Sequence, residues 1–277
     1  MSPCDGPIHR QTVLLSDRIV YLKQKNGGVS SARNTGILAA RREWLAFLDA
    51  DDVWLPNYLA VQLAYLREHA VDMVFPNAIV CGESVDAGRH TMDLSPFEGE
   101  ITFQKALAGD CTIFYCSLVR RELVIRVGLF DTGLRGSEDF NLWLRILRAG
   151  GRIGYHRTPL LRYRKHDGSL TSDSVWMAER ILESIARAEE TIPMSAEEHA
   201  AAARHRRKTE REIAMMRGKN AFEAKDWRGA LRHYEHANRL APTRRLQAVC
   251  VLLRICPGLL YNIFQGREKA ALAFSHT

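Results

Sequence analysis

An α/β domain followed by an all-α extension is the fold class this sequence predicts, and three observations carry it. Apolar strand-like runs alternate with helical stretches from Arg18 to Tyr163. Glycine, asparagine and aspartate clusters separate those runs, as they do in sheets crossed by helices. From about Val175 onward everything reads helical, so the domains are expected at 1–174 and 175–277. At 277 residues, 46% hydrophobic and 26% charged, the chain can bury a core of ordinary size.

Taken in order, Arg18–Gln24 (RIVYLKQ) reads as a strand with Asn26-Gly27-Gly28 as its turn. Ser30–Ala40 has helical character, and Glu43–Leu48 is a short apolar strand that runs into "AFLDADDVWLP". Asn57–His69 reads as a helix with Leu59, Leu63 and Leu66 on one stripe, and Val71–Val80 as a strand. Residues 84–100 are loop-like and Cys111–Leu129 is mixed. A helix follows from about Glu138 to Ala149, stopped by Gly150-Gly151. Phe140, Trp143 and Leu147 form its apolar face, with Arg145 and Arg148 off it; Arg152–Tyr163 is the last strand. In the helical part Pro193 and Ser195 mark one break and Pro242-Thr243 another. Gly218, Ala221, Ala230, Tyr234, Ala237 and Pro242 stand at the spacings of one tetratricopeptide unit; an unrelated helical hairpin is the alternative.

The net charge of +7 is concentrated at one end. Arg204–Lys269 holds 16 Lys and Arg against 6 Asp and Glu, which leaves the remainder slightly acidic. A basic end attracts nucleic acid, anionic lipid or an acidic partner, and charge alone does not choose among them. The six cysteines show no CxxC pair and read as reduced thiols. Met1–Ser16 lacks the apolar core of a leader peptide, so a cytoplasmic location is expected.

Four patches can carry chemistry. "NGGVSSARNTG" (Asn26–Gly36) is a glycine turn opening a helix, whose backbone N–H groups suit an anion, with Arg33 one turn in. In the second patch Asp49, Asp51 and Asp52 crowd together after an apolar strand. Hard oxygen ligands do so where a hard cation relieves their repulsion, although Asp52 can instead cap the next helix. In "GSEDFNLWLRILRAGG" Glu138 and Asp139 open a helix, where its dipole favours acids in any case. His166, in "YRKHDGSLT", sits in a polar loop after a strand.

In combination and in this order, the four patches resemble the inverting family 2 glycosyltransferases of the GT-A (Rossmann-like) fold, from about Arg18 to Thr171. The resemblance implies a sugar moved from a nucleotide-diphosphate donor to an acceptor hydroxyl of a glycan or a lipid-linked acceptor. It implies Mg²⁺ or Mn²⁺ held by Asp51 with His166 near it, and Asp49, Arg33, Asn34 and Glu138 on the donor side. Asp139 matches the family's general base, with Glu138 beside it. Family members begin with two further strands; here the chain enters at what would be the third, which predicts a gap in the middle of the sheet.

Two other readings fit parts of the pattern. One is an inactive transferase remnant used as a binding module. The other is a haloacid-dehalogenase-type phosphatase, whose D-x-D-x-[TV] opening "FLDADDV" also satisfies. No nucleic acid partner is expected. Leu246–Phe264 is apolar but broken by Arg254 and Pro257, so it is expected to lie on an anionic membrane surface or to be buried, and not to span.

Overall fold

The computed structural model describes residues 11–16, 19–166, 168–169 and 172–264. The chain divides into two compact units, residues 1–172 with 183–202, and residues 173–182 with 203–277.

The first unit begins with β1 (Gln11–Ser16) and β2 (Ile19–Lys23), followed by α1 (Gly28–Ala39), β3 (Trp44–Ala46) and β4 (Val53–Trp54). Next come α2 (Tyr58–Glu68), β5 (Met73–Gly82), the short helices α3 (Thr91–Leu94) and α4 (Phe103–Ala108), and β6 (Leu118–Arg120). It continues with α5 (Arg121–Arg126), α6 (Glu138–Arg148) and β7 (Ile153–Lys165). Five strands form one sheet in the order β3-β6-β5-β7-β4. Only the β5–β7 pair is parallel; β3–β6, β5–β6 and β4–β7 are antiparallel.

β5 is buried along nearly its whole length, and it carries Pro76, a residue with no N–H to give a ladder. The β5–β7 register shifts at that point, and the Asn77 side chain accepts from the Ala78 and Met92 N–H groups, so the break is closed locally. One face of the sheet packs Met73, Phe75 and Val119 against Ile37, Leu123, Leu142, Trp143 and Ile146. The other packs Val74, Leu118, Leu160 and Leu161 against Tyr58.

Three sequence expectations are corrected here. The strand at the front is present, but β2 pairs antiparallel with β1 in a separate two-stranded sheet and does not join the main one. That leaves β3 at the end of the five-stranded sheet. On α2 the buried positions are Tyr58 and Gln62, while Leu59 is exposed. The phase is set by Gln62, whose amide N–H donates to Val74 O and whose Oε1 accepts from His156 Nε2 inside the core. On α6 the fully buried face is Leu142, Trp143, Leu144 and Ile146, with Phe140 and Leu147 at its margins. Arg145 is turned inward, donating to Asn141 Oδ1 and to the carbonyls of Val127 and Leu129, which have no helical partners.

Helices α7 (Ser174–Thr191) and α8 (Ala196–Glu223) contribute to both units; α9 (Trp227–Leu240) and α10 (Arg244–Ile255) belong to the second. Residues 183–202 pack with the α/β unit, so the helical unit is not simply everything after 174. In the second unit Gly218 lies under the Tyr234 ring, where a Cβ would approach a ring carbon to 2.6 Å, and Ala230 and Ala237 are fully buried. Small residues at these positions let the helices meet closely. None of the described helices is long and apolar enough to cross a membrane. Cys81, Cys111, Cys116, Cys250 and Cys256 are free thiols.

Candidate active site

The site is assembled from the first turns of two helices, α1 and α6, and from the loops that follow β3 and β7. α1 begins at Gly28, whose φ of +83° suits glycine, and the Gly28 N–H donates to Asn26 Oδ1 at 3.0 Å. One turn later Arg33 points across the molecule. Its Nη1 donates to Glu138 Oε1 at 2.6 Å and its Nη2 to Asp49 Oδ1 at 2.8 Å. The side chain is 14% exposed, and the guanidinium stands 5.4 Å from the centre of the Phe130 ring. Burial draws its pKa down while Asp49, Glu138 and Asp139 draw it up, and the carboxylates prevail. One arginine fork thus joins the acidic loop after β3 to the first turn of α6.

Asn34 is engaged just as completely. Its amide donates to Phe130 O and accepts from Phe130 N–H, both at 2.9 Å, so it clamps the chain that leads to α6. The entry to α6 is made by Ser137, a non-glycine residue in the left-handed region with φ of +52°. Its carbonyl accepts from the buried Ser184 hydroxyl at 3.1 Å, and Asp131 upstream pairs with Arg187 at 3.1 Å. Strained backbone of this kind persists where the surroundings hold it. Ser184 and Arg187 lie on α7, and no local sequence signal marked either one.

Asp139 follows in the first turn, partly exposed, with Oδ1 accepting from the Phe140 N–H at 2.7 Å. Desolvation and the neighbouring Glu138 carboxylate push its pKa up to about 6, against that hydrogen bond and Arg33. A carboxylate with this value can hold or release a proton near neutrality.

The three aspartates after β3 part company. Asp49 belongs to the Arg33 fork. Asp52 is buried and does not cap α2; its Oδ1 accepts from the Arg164 N–H on β7 at 2.8 Å. Its Oδ2 is buried without a described partner, and desolvation lifts its pKa to about 6. Together with the β4–β7 pairing, that bond fastens the acidic loop to the end of β7. Asp51 is left facing outward, and His166, just past β7, stands with Nε2 at 3.3 Å from Asp51 Oδ2. Both side chains are about 40% exposed.

This pair offers one hard oxygen and one imidazole nitrogen. Among the described residues no three His, Cys, Asp or Glu side chains gather into a complete metal cage. Two protein ligands suit a Mg²⁺ or Mn²⁺ that takes its remaining positions from phosphate oxygens and water, so the residues fit such an ion as a half-site. A cleft of about 590 Å³ runs alongside, walled by α1 and Trp44–Ala50, with Arg33 and Asp49 among its lining. That size lies within the usual range for small-molecule sites, about 300–1,000 Å³.

The mixed sheet with helices on both faces and an acidic half-site beyond β3 define a GT-A-type protein. Two solved structures share the architecture. S. aureus TarS residues 1–349, in complex with UDP-GlcNAc, aligns with a TM-score of 0.53 at 16% identity, over 84% of this chain and 69% of that one. The mannosyltransferase PcManGT from Pyrobaculum calidifontis, in complex with GDP-Man and Mn²⁺, aligns at 0.50 and 18% identity, over 87% and 68%. At such identities these show fold alone. Residues 8–128 match the model of glycosyl transferase family 2. The amylovoran biosynthesis glycosyltransferase AmsE of Erwinia amylovora is 24% identical over 183 residues, covering 62% of this chain and 66% of AmsE. The chain spans about half the length of other curated relatives it matches. The family match contains Arg33, Asn34, Asp49 and Asp51 and ends before Glu138, Asp139 and His166.

Proposed function

We propose that this protein is a metal-dependent inverting glycosyltransferase that moves a sugar from a nucleoside-diphosphate donor to an acceptor hydroxyl. The observation that carries the reading is the convergence of all four sequence patches: Arg33 joins Asp49 to Glu138, and Asp51 meets His166. Asp51 and His166 would hold Mg²⁺ or Mn²⁺ beside the donor diphosphate. Such an ion supplies positive charge where the departing diphosphate becomes more negative. Asp139 takes the proton of the acceptor hydroxyl. As that oxygen bonds to the sugar C1, the bond from C1 to the diphosphate breaks, and the anomeric centre inverts. Arg33 and Asn34 act through other residues: they hold the acidic loop and the α6 entry in one register. Glycan and lipid-linked acceptors both remain within this reading, and AmsE's role in amylovoran biosynthesis supports the glycan.

The phosphatase alternative finds no support, since the nucleophile it needs, Asp49, is held by Arg33 and the matched family transfers sugars. The remnant reading makes a different prediction. Incubation with UDP- and GDP-sugars and Mn²⁺, followed by release of UDP or GDP, tests the proposal. Release that needs both Mn²⁺ and Asp139 supports it; nucleotide binding with no release by the wild-type chain favours the remnant.

A further inference from the structure

Among the described residues, the last elements of the helical unit are α10 and a second helical stretch, 257–264, that follows Cys256. Leu246, Cys250 and Leu253 bury one face of α10, packing with Ala237 and with Phe222 and Ala230. The opposite face is not polar. At 100° per residue, Val251 and Ile255 lie at its centre with Ala248 and Leu252 beside them. Ile255 is 75% exposed and Val251 47%, and the exposed apolar run continues past Pro257 to Leu259 and Ile263. Exposed apolar side chains scattered singly are ordinary, whereas five within 13 residues make a patch.

Within the segment that carries the patch the charges have one sign, although Arg254 is paired with Glu235 of α9. From 241 to 264 the sequence contains no Asp or Glu and three arginines. Arg244 lies at the start of the stripe, with Arg245 and Arg254 on its two margins. The rest of the unit adds exposed Arg228, Arg232 and Arg239 on α9. A second copy of this face would bring like charges together, so self-association opposes itself.

We propose that this face docks on an anionic membrane surface. α10 lies in the plane of the interface, with Val251, Leu252, Ile255, Leu259 and Ile263 entering the apolar layer just below the headgroups. The arginine stems run along the same layer and place their guanidinium groups at the lipid phosphates. Apolar depth and charge are both needed: the arginines select anionic lipid, and the stripe turns attraction into attachment.

The test is flotation of the full chain with phosphatidylcholine vesicles, with and without phosphatidylglycerol, at low and high salt. The wild-type chain should float with the phosphatidylglycerol vesicles at low salt and stay behind with phosphatidylcholine alone. Ile255→Glu, and separately Leu259→Glu, should each weaken binding about tenfold or more, because each removes a large buried side chain from the layer. Both positions are exposed, so circular dichroism should be unchanged. Arg244→Gln should weaken binding roughly fivefold. Absence of binding at low salt overturns the proposal. So does binding that survives both glutamate variants, which would mean charge alone. Self-association abolished by the same variants, with no vesicle binding, would assign the face to a second copy instead.

Discussion

Asp49 and Asp51 are two residues apart and equally exposed, yet they have different kinds of partner. Asp49 is bonded into a knot with Arg33 and Glu138, where a buried fork gives each carboxylate one charged hydrogen bond. Among the described residues Asp51 meets only a half-exposed imidazole. The knot is complete without a ligand; the pair is not. A carboxylate already bonded to an arginine contributes to shape, while an under-satisfied one is available to bind. On the proposed reading the comparison divides the site into a part that holds and a part that acts, with Asp139 on the border: its neighbour Glu138 is in the knot, and its own Oδ1 accepts from the Phe140 N–H.

The largest expected effect tests that border. Asp139→Asn keeps the shape and the bond to the Phe140 N–H but cannot take a proton. Turnover should fall by ~10²–10⁴-fold while donor affinity, measured by titration calorimetry, stays near wild type. If Asp139 merely caps α6, the asparagine keeps the cap and turnover changes little.

Breaking the knot should be felt in stability. Arg33→Met leaves Glu138 buried without its cation, at a cost of about 3 kcal/mol or more in urea denaturation. Arg33→Lys should recover only part of this, because an ammonium cannot bridge two carboxylates with the same fork. A loss below about 0.5 kcal/mol for Arg33→Met would place the knot among ordinary surface ion pairs.

The pH dependence is smaller but has a definite sign. Asp139's pKa is raised in the folded state, so the folded chain binds its proton more tightly than the unfolded chain does. Its ionisation therefore destabilises the fold above pH 6, and that penalty disappears as pH falls through 6 toward the ordinary carboxylate value. Activity runs the opposite way. A base must be unprotonated, so kcat/KM should decline about tenfold per unit below pH 6. A profile flat from pH 5 to 8, assigned with these as about the limits of the test, would exclude Asp139 as the titrating base.

Ser184→Ala gives the smallest change. It removes the hydroxyl that donates to Ser137 O and should cost about 1 kcal/mol. If that bond aims the first turn of α6, kcat should fall several-fold with KM unchanged.

Much of this was legible in the sequence, and the exceptions share a cause. The helices at α1 and α6 and the acidic run were visible because each rests on local signals: a glycine turn, acids in a first turn, an apolar strand ending in aspartates. Arg33 was visible as a candidate, but its bond to Glu138 was not, since that partner is 105 residues away. Periodicity put Leu59 inside because leucine is apolar; the structure puts Gln62 there because His156 and Val74 satisfy its amide. The sequence places Asp52 in a cation cluster or, alternatively, at a helix cap, and only the register of β4 on β7 shows it bonded to the Arg164 N–H. Ser184 and Arg187 gave no signal because long-range hydrogen bonds leave no period in the sequence.

The central claim, that Asp51 with His166 is the acting half and the Arg33 knot the holding half, comes down to one titration. UDP and GDP are titrated into the wild-type chain and into Asp51→Asn, each with and without Mn²⁺. The account predicts that Mn²⁺ tightens binding to the wild-type chain about tenfold or more. It predicts that Asp51→Asn loses this gain, as expected for a removed metal ligand, while its melting temperature is unchanged. Nucleotide affinity indifferent to Mn²⁺, or an undiminished Mn²⁺ effect in Asp51→Asn, would contradict it.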